Sequence, residues 1–344
     1  MSEAVNKTRL ESKKSVYPFL LRPIPITEQR WDDDIEPLVS IYCKTFMHEK
    51  FIRDAIEGFL IQQTTFKVEI WIHDDASTDN TANIIREYVG KYPQLFVATY
   101  QVENQYKSKP QTPKYIVPPK LRGKYIAPCE GDDYWTDYMK LQKQVDFMEN
   151  SPDYVMCYHQ NLQRKEDKLF STPIPVKGID YSADELIATP SGIATATKFF
   201  RNVFLNQNPI EEKPSGDYGL NAYLGLYGNC KFLSSVKPSV RRLHSGGVWT
   251  SKPALDKHYG VIDNKINIYR FFRKRNDKHR MSISLKALFE IIEKKIPELD
   301  SDYKKFEINK KRILFSFQGL KLNLEYRLFL SGIKRRFSSF FRGH

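Results

Sequence analysis

The sequence predicts an α/β protein built on a doubly wound, Rossmann-like mixed sheet, followed by a basic helical extension. Three observations carry this prediction. Short apolar, β-branched runs alternate with helical patterns along most of the chain, which is typical of a doubly wound sheet. The 344 residues are 41% hydrophobic, enough for a large core. The excess of basic charge is confined to the C-terminal part, where the strand pattern ends.

Strands and helices follow each other from Leu38 onward. Apolar runs with strand character stand at 38–44, 68–73, 95–101, 124–130, 153–160 and 192–200, with a strand, a turn and a second strand at 230–244. Helical stripes of apolar residues stand between them at 48–63, 79–93, 137–150 and 216–228. Gly90 and Pro93 mark the end of one helix, as glycine and proline commonly do.

The distribution of charge and the positions of prolines divide the chain into three regions. Residues 1–36 are polar, carry Pro23 and Pro25, and are predicted to form a loosely ordered extension. Residues 37–251 form the predicted main domain. Residues 252–344 hold 23 Lys and Arg against 10 Asp and Glu, whereas the rest of the chain holds 31 of each. The pI of 9.3 therefore reflects the last region, and such a region favours a polyanionic partner.

The residues themselves give no sign of export or membrane insertion. The opening stretch MSEAVNKTRLESKKS is polar and lacks the apolar core of a signal peptide. No apolar run approaches the ~20 residues that span a bilayer. The four cysteines are far apart and form no CxxC pair, which argues against a zinc site or a disulfide framework. We therefore expect a cytoplasmic protein.

The stretch CEGDDYW, residues 129–135, places Glu130, Asp132 and Asp133 within four positions at the end of a predicted buried strand. Carboxylates this close repel, and burying them costs several kcal/mol unless a partner neutralises them. A divalent cation such as Mn²⁺ or Mg²⁺ is a suitable partner, because hard cations prefer carboxylate oxygens. A solvated acidic turn that caps the next helix is the alternative.

A second acidic motif, HDDASTDNT at 73–81, follows another predicted strand. In a doubly wound sheet, ligands bind in a crevice at the carboxyl ends of the strands, so both motifs are expected to face it. The sequence contains no GxGxxG and no GxxxxGK[ST] motif, which disfavours an ordinary dinucleotide or P-loop site. The pattern instead favours a nucleotide held through its base and ribose, with a metal on its diphosphate.

With these motifs the chain resembles the family 2 glycosyltransferases of GT-A fold, in particular those that assemble bacterial surface polysaccharides such as capsule and O-antigen. The resemblance runs from about Leu38 to about Thr250. LVSIYCKTF matches the opening strand, HDDASTDNT the DDxSxD motif, and GKYIAPCEGDDYW the DxD-type metal motif. SGDYGLNAYLGLYG matches the segment of the catalytic base, and RRLHSGG the late Arg-x-His element. Each motif alone is weak, but five in this order are specific.

The resemblance implies roles for residues of the first motifs. Asp75 is expected to accept a hydrogen bond from the base of the donor, with Asp74 beside it and Thr45 also at the donor. Asp133 is expected to coordinate the cation, with Asp132 on the ribose or on a metal-bound water, and the reverse order of the two stays open. Asp79 is expected to cap the following helix.

The later motifs supply further expected contacts. Glu130 stands near the first Asp of the DxD motif and is grouped with the donor-binding residues. Trp135 would either wall the sugar pocket or pack in the core. His244 is expected to contact the metal or the diphosphate, and Arg242, or its neighbour Arg241, to bind a phosphate, which suits a bidentate guanidinium. No converging pattern is visible for His48, His73, His159 and His258.

Asp217 is, by the same resemblance, the general base of a transfer with inversion. It would take the proton of an acceptor hydroxyl while that oxygen attacks the anomeric carbon from the face opposite the leaving group. Help of this kind typically contributes ~10²–10⁴-fold to the rate. Because Asp217 opens a predicted helix, a helix N-cap is the alternative role.

The end of the chain has two open interpretations. In residues 310–344, a helical stripe of apolar residues precedes Lys334, Arg335 and Arg336, which together with Arg342 surround Phe337, Phe340 and Phe341. This composition suits an interfacial segment on anionic lipid, and equally a helix packed on the main domain with a solvated basic face. No nucleic-acid recognition module is visible, so no nucleic-acid partner is expected.

The sequence thus predicts a cytoplasmic, metal-dependent glycosyltransferase that moves a sugar from a nucleoside-diphosphate donor to a growing glycan. UDP is the nucleotide favoured for the donor. If the acceptor is lipid-linked, the basic region would give the enzyme peripheral contact with the membrane. One alternative is a nucleotidyltransferase of similar fold, although YCKTFMHEK lacks the glycines of a triphosphate loop. The other is a basic membrane- or nucleic-acid-binding protein without catalytic activity, whose acidic loops are only caps.

Overall fold

The chain folds into two compact units, the first ending at Lys252 and the second beginning at Pro253. The computed structural model describes residues 17–108, 120–171, 180–188, 193–205, 214, 216–247 and 250–299. The basic segment 310–344, with its predicted membrane contact, lies outside the described residues.

The first unit contains short strands and helices that alternate along the chain. Its strands are β1 (Ile24–Pro25), β2 (Val39–Thr45), β3 (Gln63–Thr64), β4 (Val68–Asp74), β5 (Phe96–Tyr100), β6 (Tyr125–Glu130), β7 (Tyr154–Tyr158), β8 (Asn161–Lys165), β9 (Lys168–Ser171), β10 (Phe199–Arg201), β11 (Asn229–Phe232) and β12 (Ser239–Arg242). Its helices are α1 (Ile52–Leu60), α2 (Thr81–Lys91), α3 (Gln105–Ser108), α4 (Lys140–Glu149), α5 (Ala183–Ile187) and α6 (Gly216–Leu224).

Seven of these strands form one mixed sheet in the spatial order β11-β7-β10-β6-β2-β4-β5. Strands β2, β4, β5 and β6 run parallel to one another, and β11 runs parallel to β7. Strand β10 lies between β6 and β7 and is antiparallel to both. The prediction of an α/β fold on a mixed sheet is therefore confirmed.

The register of the central strands brings the two acidic motifs to one edge of this sheet. Thr45, which ends β2, pairs with Asp74, which ends β4. Lys44 pairs with Glu130, which ends β6. Both motifs therefore begin at the same edge, as expected for the carboxyl ends of parallel strands.

The core that supports this edge contains the apolar stripe predicted for α1. Ile52, Ala55, Ile56 and Phe59 have no exposed surface and join the cluster that holds the apolar residues of β2 and β4. Burying a large apolar side chain stabilises a fold by about 1.5–3 kcal/mol. The helical spacing of these apolar residues lets α1 bury one face in the core, and this burial anchors the helix.

Part of the predicted N-terminal extension packs onto the main domain. Strand β1 pairs with β3, and Ile26 is fully buried in the main core. The amide of Gln29 donates to the Thr64 carbonyl at 2.6 Å, which satisfies a buried polar group. Residues 17–26 are richer in apolar side chains than the rest of the extension, and Ile26 from this stretch occupies a core position.

The predicted strand at 192–200 is divided. Its described part begins with a 3-10 turn at Thr195–Thr197, and only the short β10 follows. The Thr197 hydroxyl donates to the Ala194 carbonyl at 2.7 Å, and such local bonds to threonine compete with strand pairing. The turn places Thr195 and Lys198 close to the end of β6.

The predicted strand–turn–strand at 230–244 is present as β11 and β12, but the two strands join different sheets. Strand β12 pairs in parallel with β8, which pairs with β9 in a three-stranded sheet. Val240 of β12 also exchanges two backbone hydrogen bonds with Tyr134, at 2.9 and 3.1 Å. This bridge brings the Arg-x-His element beside the CEGDDYW motif.

The second unit contains the helices α7 (Ala254–Lys274) and α8 (Lys278–Leu299). Asn276, in the tight connection between them, adopts a left-handed backbone with φ of 54°. Ile262, Ile266 and Tyr269, which follow one another at helical spacing on α7, are buried together with Leu288. Within the described part of the chain, no helix combines the length and apolarity needed to cross a membrane.

Candidate active site

Two loops that leave the sheet edge are bound to each other. The loop after β2 donates from the backbone of Met47 to Ser77 Oγ at 2.9 Å and from that of His48 to Thr81 Oγ1 at 2.8 Å. Asp79 accepts from the backbone of Glu49 at 3.1 Å, and also from Thr81 at the start of α2 at 3.0 Å. Asp79 thus bonds to the first residue of α2 and ties both loops together, but the N-cap position of α2 belongs to Asn80, which corrects the predicted cap by one residue.

Asp74 and Asp75 have different environments although they are adjacent. Asp74 is buried, and its carboxylate accepts from the backbone and the hydroxyl of Ser77, which closes the loop on itself. Asp75 accepts from the backbone amides of Gln105 and Tyr106, at 2.7 and 3.0 Å. A carboxylate has about four acceptor positions, so Asp75 retains capacity for a further donor. Its role at the donor base stays a prediction.

The turn that carries the DxD-type motif depends on close contact at Gly131. A Cβ at this position would lie 2.8 Å from the Thr45 side chain and 2.9 Å from Ile52, closer than side chains tolerate. The Gly131 amide donates to the Lys44 carbonyl at 2.9 Å. Thr45, predicted at the donor, is therefore packed under the turn, and within the described residues its buried hydroxyl has no hydrogen-bond partner.

Asp132 meets two histidines in a cluster that could hold a metal ion. Its Oδ2 lies 3.0 Å from His244 Nε2 and 3.8 Å from His48 Nε2, and one ligand atom from each residue lies within 4.8 Å of the others. Burial would raise the pKa of Asp132, but the hydrogen bond to His244, followed by the interaction with His48, outweighs it and lowers that pKa. Burial lowers the pKa of His48, which leaves its imidazole neutral and able to ligate.

Asp133 has a partner outside this cluster. It is only 5% exposed, and its Oδ1 accepts from the Arg242 backbone amide at 2.9 Å. Burial, followed by the charges of Asp132 and Glu130, raises its pKa well above the usual range. The structure thus groups Asp132, rather than its neighbour, with the histidines.

The Arg242 guanidinium holds the same turn from outside. It donates to the Asp132 carbonyl at 3.0 Å and to the Asp54 carboxylate, and it lies 4.4 Å from the centre of the Tyr134 ring. Through these contacts Arg242 holds the turn of residues 130–134 in place. Its predicted phosphate contact stays a prediction. We call Asp132, Asp133, His48, His244 and Arg242 the metal side of the site.

Trp135 packs in the core, which decides between its two predicted roles. It is 2% exposed, and its indole N–H donates to the Ala196 carbonyl at 2.9 Å. Its ring meets Phe59 edge to face, with 4.9 Å between the centroids. The residue links the DxD-type turn to the 3-10 turn before β10.

Asp217 opens α6 and stands next to a buried lysine. Its side chain is 62% exposed, and its Oδ1 lies 3.6 Å from Lys198 Nζ. The Thr195 hydroxyl is near both carboxylate oxygens, at 3.4 and 3.5 Å. The charge of Lys198 lowers the pKa of Asp217. We call Asp217, Lys198 and Thr195 the base side of the site.

Glu130 is influenced by both sides. Burial, then the negative charges of Asp217 and Asp132, raise its pKa to about 7, although Lys44 and Lys198 act against this. Glu130 therefore lies within electrostatic range of both sides of the site. Near neutral pH it is part protonated, so it can accept or donate a hydrogen bond.

The sequence analysis missed two residues of this crevice. His48 was expected to have no converging partner, and the structure corrects this by placing it beside Asp132 and His244. Its position just after a central strand was the available signal. Lys198 was counted within an apolar run, and a lone charge in such a run was the signal there.

Comparisons with known proteins agree with this arrangement. The chain matches the family model described as Glycosyl transferase family 2 over residues 40–204. It is similar to the Uncharacterized protein Rv1520 of Mycobacterium tuberculosis, with 31% identity over 261 residues that cover 74% of this chain and 68% of the relative. It also resembles the putative teichuronic acid biosynthesis glycosyltransferase TuaG of Bacillus subtilis, with 31% identity over 33% of this chain and 42% of TuaG.

Among solved structures, the chain is similar to S. aureus TarS 1-349 in complex with UDP-GlcNAc. The TM-score is 0.52 and the identity 18%, with 75% of this chain and 72% of the other covered. This likeness shows that the two proteins share a fold.

Proposed function

The chain belongs to glycosyltransferase family 2, and from this premise we propose that it transfers a sugar, with inversion, from a UDP-linked donor to a hydroxyl of a growing glycan. Family membership makes the protein a glycosyltransferase, so the nucleotidyltransferase and the basic protein without activity are set aside. The donor, the stereochemistry and the residue roles are the proposal.

One observation carries the proposal: a His–Asp–His cluster and an exposed aspartate meet in one crevice at the carboxyl ends of the strands. Inverting transfer needs a positive group at the leaving diphosphate and a base on the opposite face of the sugar. The metal side and the base side supply these two groups. Glu130, whose pKa responds to Asp132 and to Asp217, connects them.

His48, Asp132 and His244 are the residues that would hold a divalent cation, Mn²⁺ or Mg²⁺. Two imidazole nitrogens and a carboxylate oxygen form a donor set that suits Mn²⁺ better than Mg²⁺, which prefers oxygen. When bound, the cation offsets the negative charge that develops on the departing nucleoside diphosphate. Arg242 keeps the turn in place through the Asp132 carbonyl.

Asp217 acts on the acceptor. Its carboxylate takes the proton of the acceptor hydroxyl while that oxygen forms a bond to the anomeric carbon. The bond between this carbon and the donor phosphate breaks, and its electron pair leaves with UDP. Asp75 would accept from the ring N–H of the uracil, while Thr45 and Asp74 shape the loop beneath it.

The acceptor class is proposed as a bacterial surface polysaccharide, because TuaG carries teichuronic acid biosynthesis in its name.

Peripheral membrane contact through the basic region 252–344 follows if that acceptor is lipid-linked. Sedimentation with phosphatidylglycerol vesicles tests this contact. The bound fraction should fall as salt shortens the Debye length, and binding that ignores salt would contradict the electrostatic contact.

The decisive experiment is donor hydrolysis. UDP release from a panel of UDP-sugars, UDP-GlcNAc first because TarS is solved with it, is measured with Mn²⁺ and then with excess EDTA. We expect metal-dependent release, and a rise in melting temperature when donor and Mn²⁺ are added together. Asp167→Asn, at a fully exposed carboxylate, is the matched control and should behave as the unaltered protein. Full release in EDTA would refute the metal-dependent mechanism.

A further inference from the structure

Lys198 is a buried charge to which the proposed mechanism gives no task. Its side chain has no exposed surface, and in the described part of the chain its ammonium has no hydrogen-bond partner. An ammonium has three N–H donors, and burying it unpaired costs several kcal/mol. Asp217 Oδ1, at 3.6 Å, is within ion-pair range but beyond hydrogen-bond distance. A costly group held at this distance from a catalytic carboxylate calls for a functional explanation.

Lys140 shows how the same fold accommodates a buried lysine with a structural role. Its side chain is also fully buried, but its ammonium donates to Gln144 Oε1 at 2.8 Å. It also lies 3.9 Å from the centre of the Trp135 ring, a favourable cation–π contact. Within the described residues Lys198 has neither kind of contact, so packing does not account for its charge.

The charges around Asp217 come from every element that faces it. Lys44 is on β2, Arg241 on β12, Glu130 on β6, Tyr218 on α6, and Lys198 directly before β10. Among these, Lys198 lowers the pKa of Asp217 most. Lys44 is exposed, so salt screens its charge, whereas a buried ammonium is screened much less.

We propose that Lys198 is a positioning residue that keeps Asp217 ionised while the donor is bound. This rests on the proposed role of Asp217 as the base. A nucleoside diphosphate brings negative charge into a crevice that already holds Glu130 and Asp132, and nearby negative charge favours protonation of a carboxylate. A protonated Asp217 is no longer a base. The buried ammonium of Lys198 is a permanent positive charge that opposes protonation of Asp217 when the donor binds.

The geometry also explains why a charge is used here and not a strong hydrogen bond. A carboxylate that accepted short bonds from protein groups would have its oxygens occupied. The contacts to Thr195 are long, 3.4 and 3.5 Å, and the ammonium stands at 3.6 Å. Both oxygens of Asp217 therefore remain available to the acceptor hydroxyl while the charge is maintained.

The first test needs no substrate. Protein labelled with ¹³C at the aspartate carboxyls is titrated by NMR, and the Asp217 signal is assigned by its loss in Asp217→Asn. In Lys198→Met we expect the midpoint of the Asp217 titration to move to higher pH, because the cation that lowers it is gone. Lys140→Met removes the other fully buried lysine and should leave that midpoint in place. An unmoved midpoint in Lys198→Met overturns the inference.

The second test uses UDP release from UDP-GlcNAc with Mn²⁺. The acid limb of the pH–rate profile should move to higher pH in Lys198→Met and in the smaller neutral variant Lys198→Gln, while Lys140→Met keeps it. The melting temperature of Lys198→Met should be unchanged or higher, since an apolar side chain of similar length replaces a buried ammonium that makes no hydrogen bond among the described residues. A lower melting temperature with an unmoved acid limb would show a purely structural role and overturn the inference.

Failure of the inference and failure of the proposed function give different results. If Asp217 is not the base, Asp217→Asn retains its turnover whatever Lys198→Met does. If Asp217 is the base but Lys198 does not maintain its charge, Asp217→Asn loses turnover while the titration midpoint in Lys198→Met stays in place.

Discussion

The metal side and the base side of the crevice are held by different forces. On the metal side, hydrogen bonds of 2.9 to 3.0 Å connect Asp132 with His244, Asp133 with the Arg242 backbone, and the Asp132 carbonyl with the guanidinium. On the base side, the contacts of Asp217 among the described residues are the long ones to Thr195 and an ion pair with Lys198. Hydrogen bonds fix the direction of a group, whereas a Coulomb interaction at this distance fixes mainly its charge.

This difference matches what each side has to do. A cation requires its ligands in one geometry. The hydrogen bonds among the metal-side groups hold the ligands in such a geometry before the cation binds. A base must align with each acceptor hydroxyl, so an ionised group with free oxygens serves the base side. Substitutions on the metal side should therefore disturb several groups together, and substitutions on the base side only one step.

The largest effect is expected from Asp132→Asn. An amide is a poor metal ligand, so affinity for Mn²⁺ and metal-dependent UDP release should fall together, by about 10³-fold or more in rate. Metal titration followed by release kinetics measures both. Asp133→Asn is the matched control. Its amide resembles the neutral carboxyl that the raised pKa of Asp133 favours, and metal affinity should largely persist. The reverse outcome would make Asp133 the direct ligand.

Asp217→Asn should have the next largest effect and a simpler one. The amide keeps the size of the carboxylate but cannot accept the proton, so transfer should slow by ~10²-fold or more. Donor affinity and metal dependence should stay nearly constant, because the base acts only on the acceptor. Calorimetric donor binding and turnover, measured on the same preparation, separate the two. Asparagine is also a good N-cap, so turnover near that of the unaltered protein would mean that Asp217 only caps α6.

His48→Gln tests whether the histidine missed in the sequence belongs to the metal side. Loss of one imidazole ligand should weaken Mn²⁺ binding by at least roughly tenfold, with little effect on the base side. His73→Gln, at the end of the neighbouring strand, is the control for metal affinity. Equal metal affinity in both variants would remove His48 from the cluster and leave Asp132 and His244 as the pair.

Asp137→Asn should give the smallest effect on turnover and a measurable one on stability. Burial would raise the pKa of Asp137, but bonds from the Lys143 ammonium and from the amides of Lys237 and Met139 outweigh it and lower that pKa. The stabilisation is therefore present above the unfolded-state pKa and is lost as pH falls through the folded one. At pH 7 the variant should lose about 2 kcal/mol of unfolding free energy.

Urea unfolding over a pH series measures this difference. The gap between Asp137→Asn and the unaltered protein should close in acid. Asp146→Asn changes an exposed carboxylate of the same helical region and should show little difference at any pH. A gap that is independent of pH would mean that Asp137 contributes by shape alone and not through its charge.

The sequence by itself determined the sheet, its edge and the class of chemistry. Apolar runs spaced by helical stripes predict strands such as β2, β4 and β6, and parallel strands bring their carboxyl ends together by geometry. The acids that follow those strands, from Asp74 and Asp75 to Glu130 and Asp132, must then meet. These conclusions need only local periodicity and chain order, which a sequence displays directly.

The tertiary structure alone decided which of these groups touch. Asp132 and Asp133 are neighbours in one turn, and their different partners depend on the contact of Gly131 with Thr45 and on the amide of Arg242, far along the chain. The pairs His48–Asp132 and Lys198–Asp217 likewise join separate elements. Such contacts depend on the packing of whole strands and helices, because the direction of a side chain in a turn is fixed by the groups that surround it.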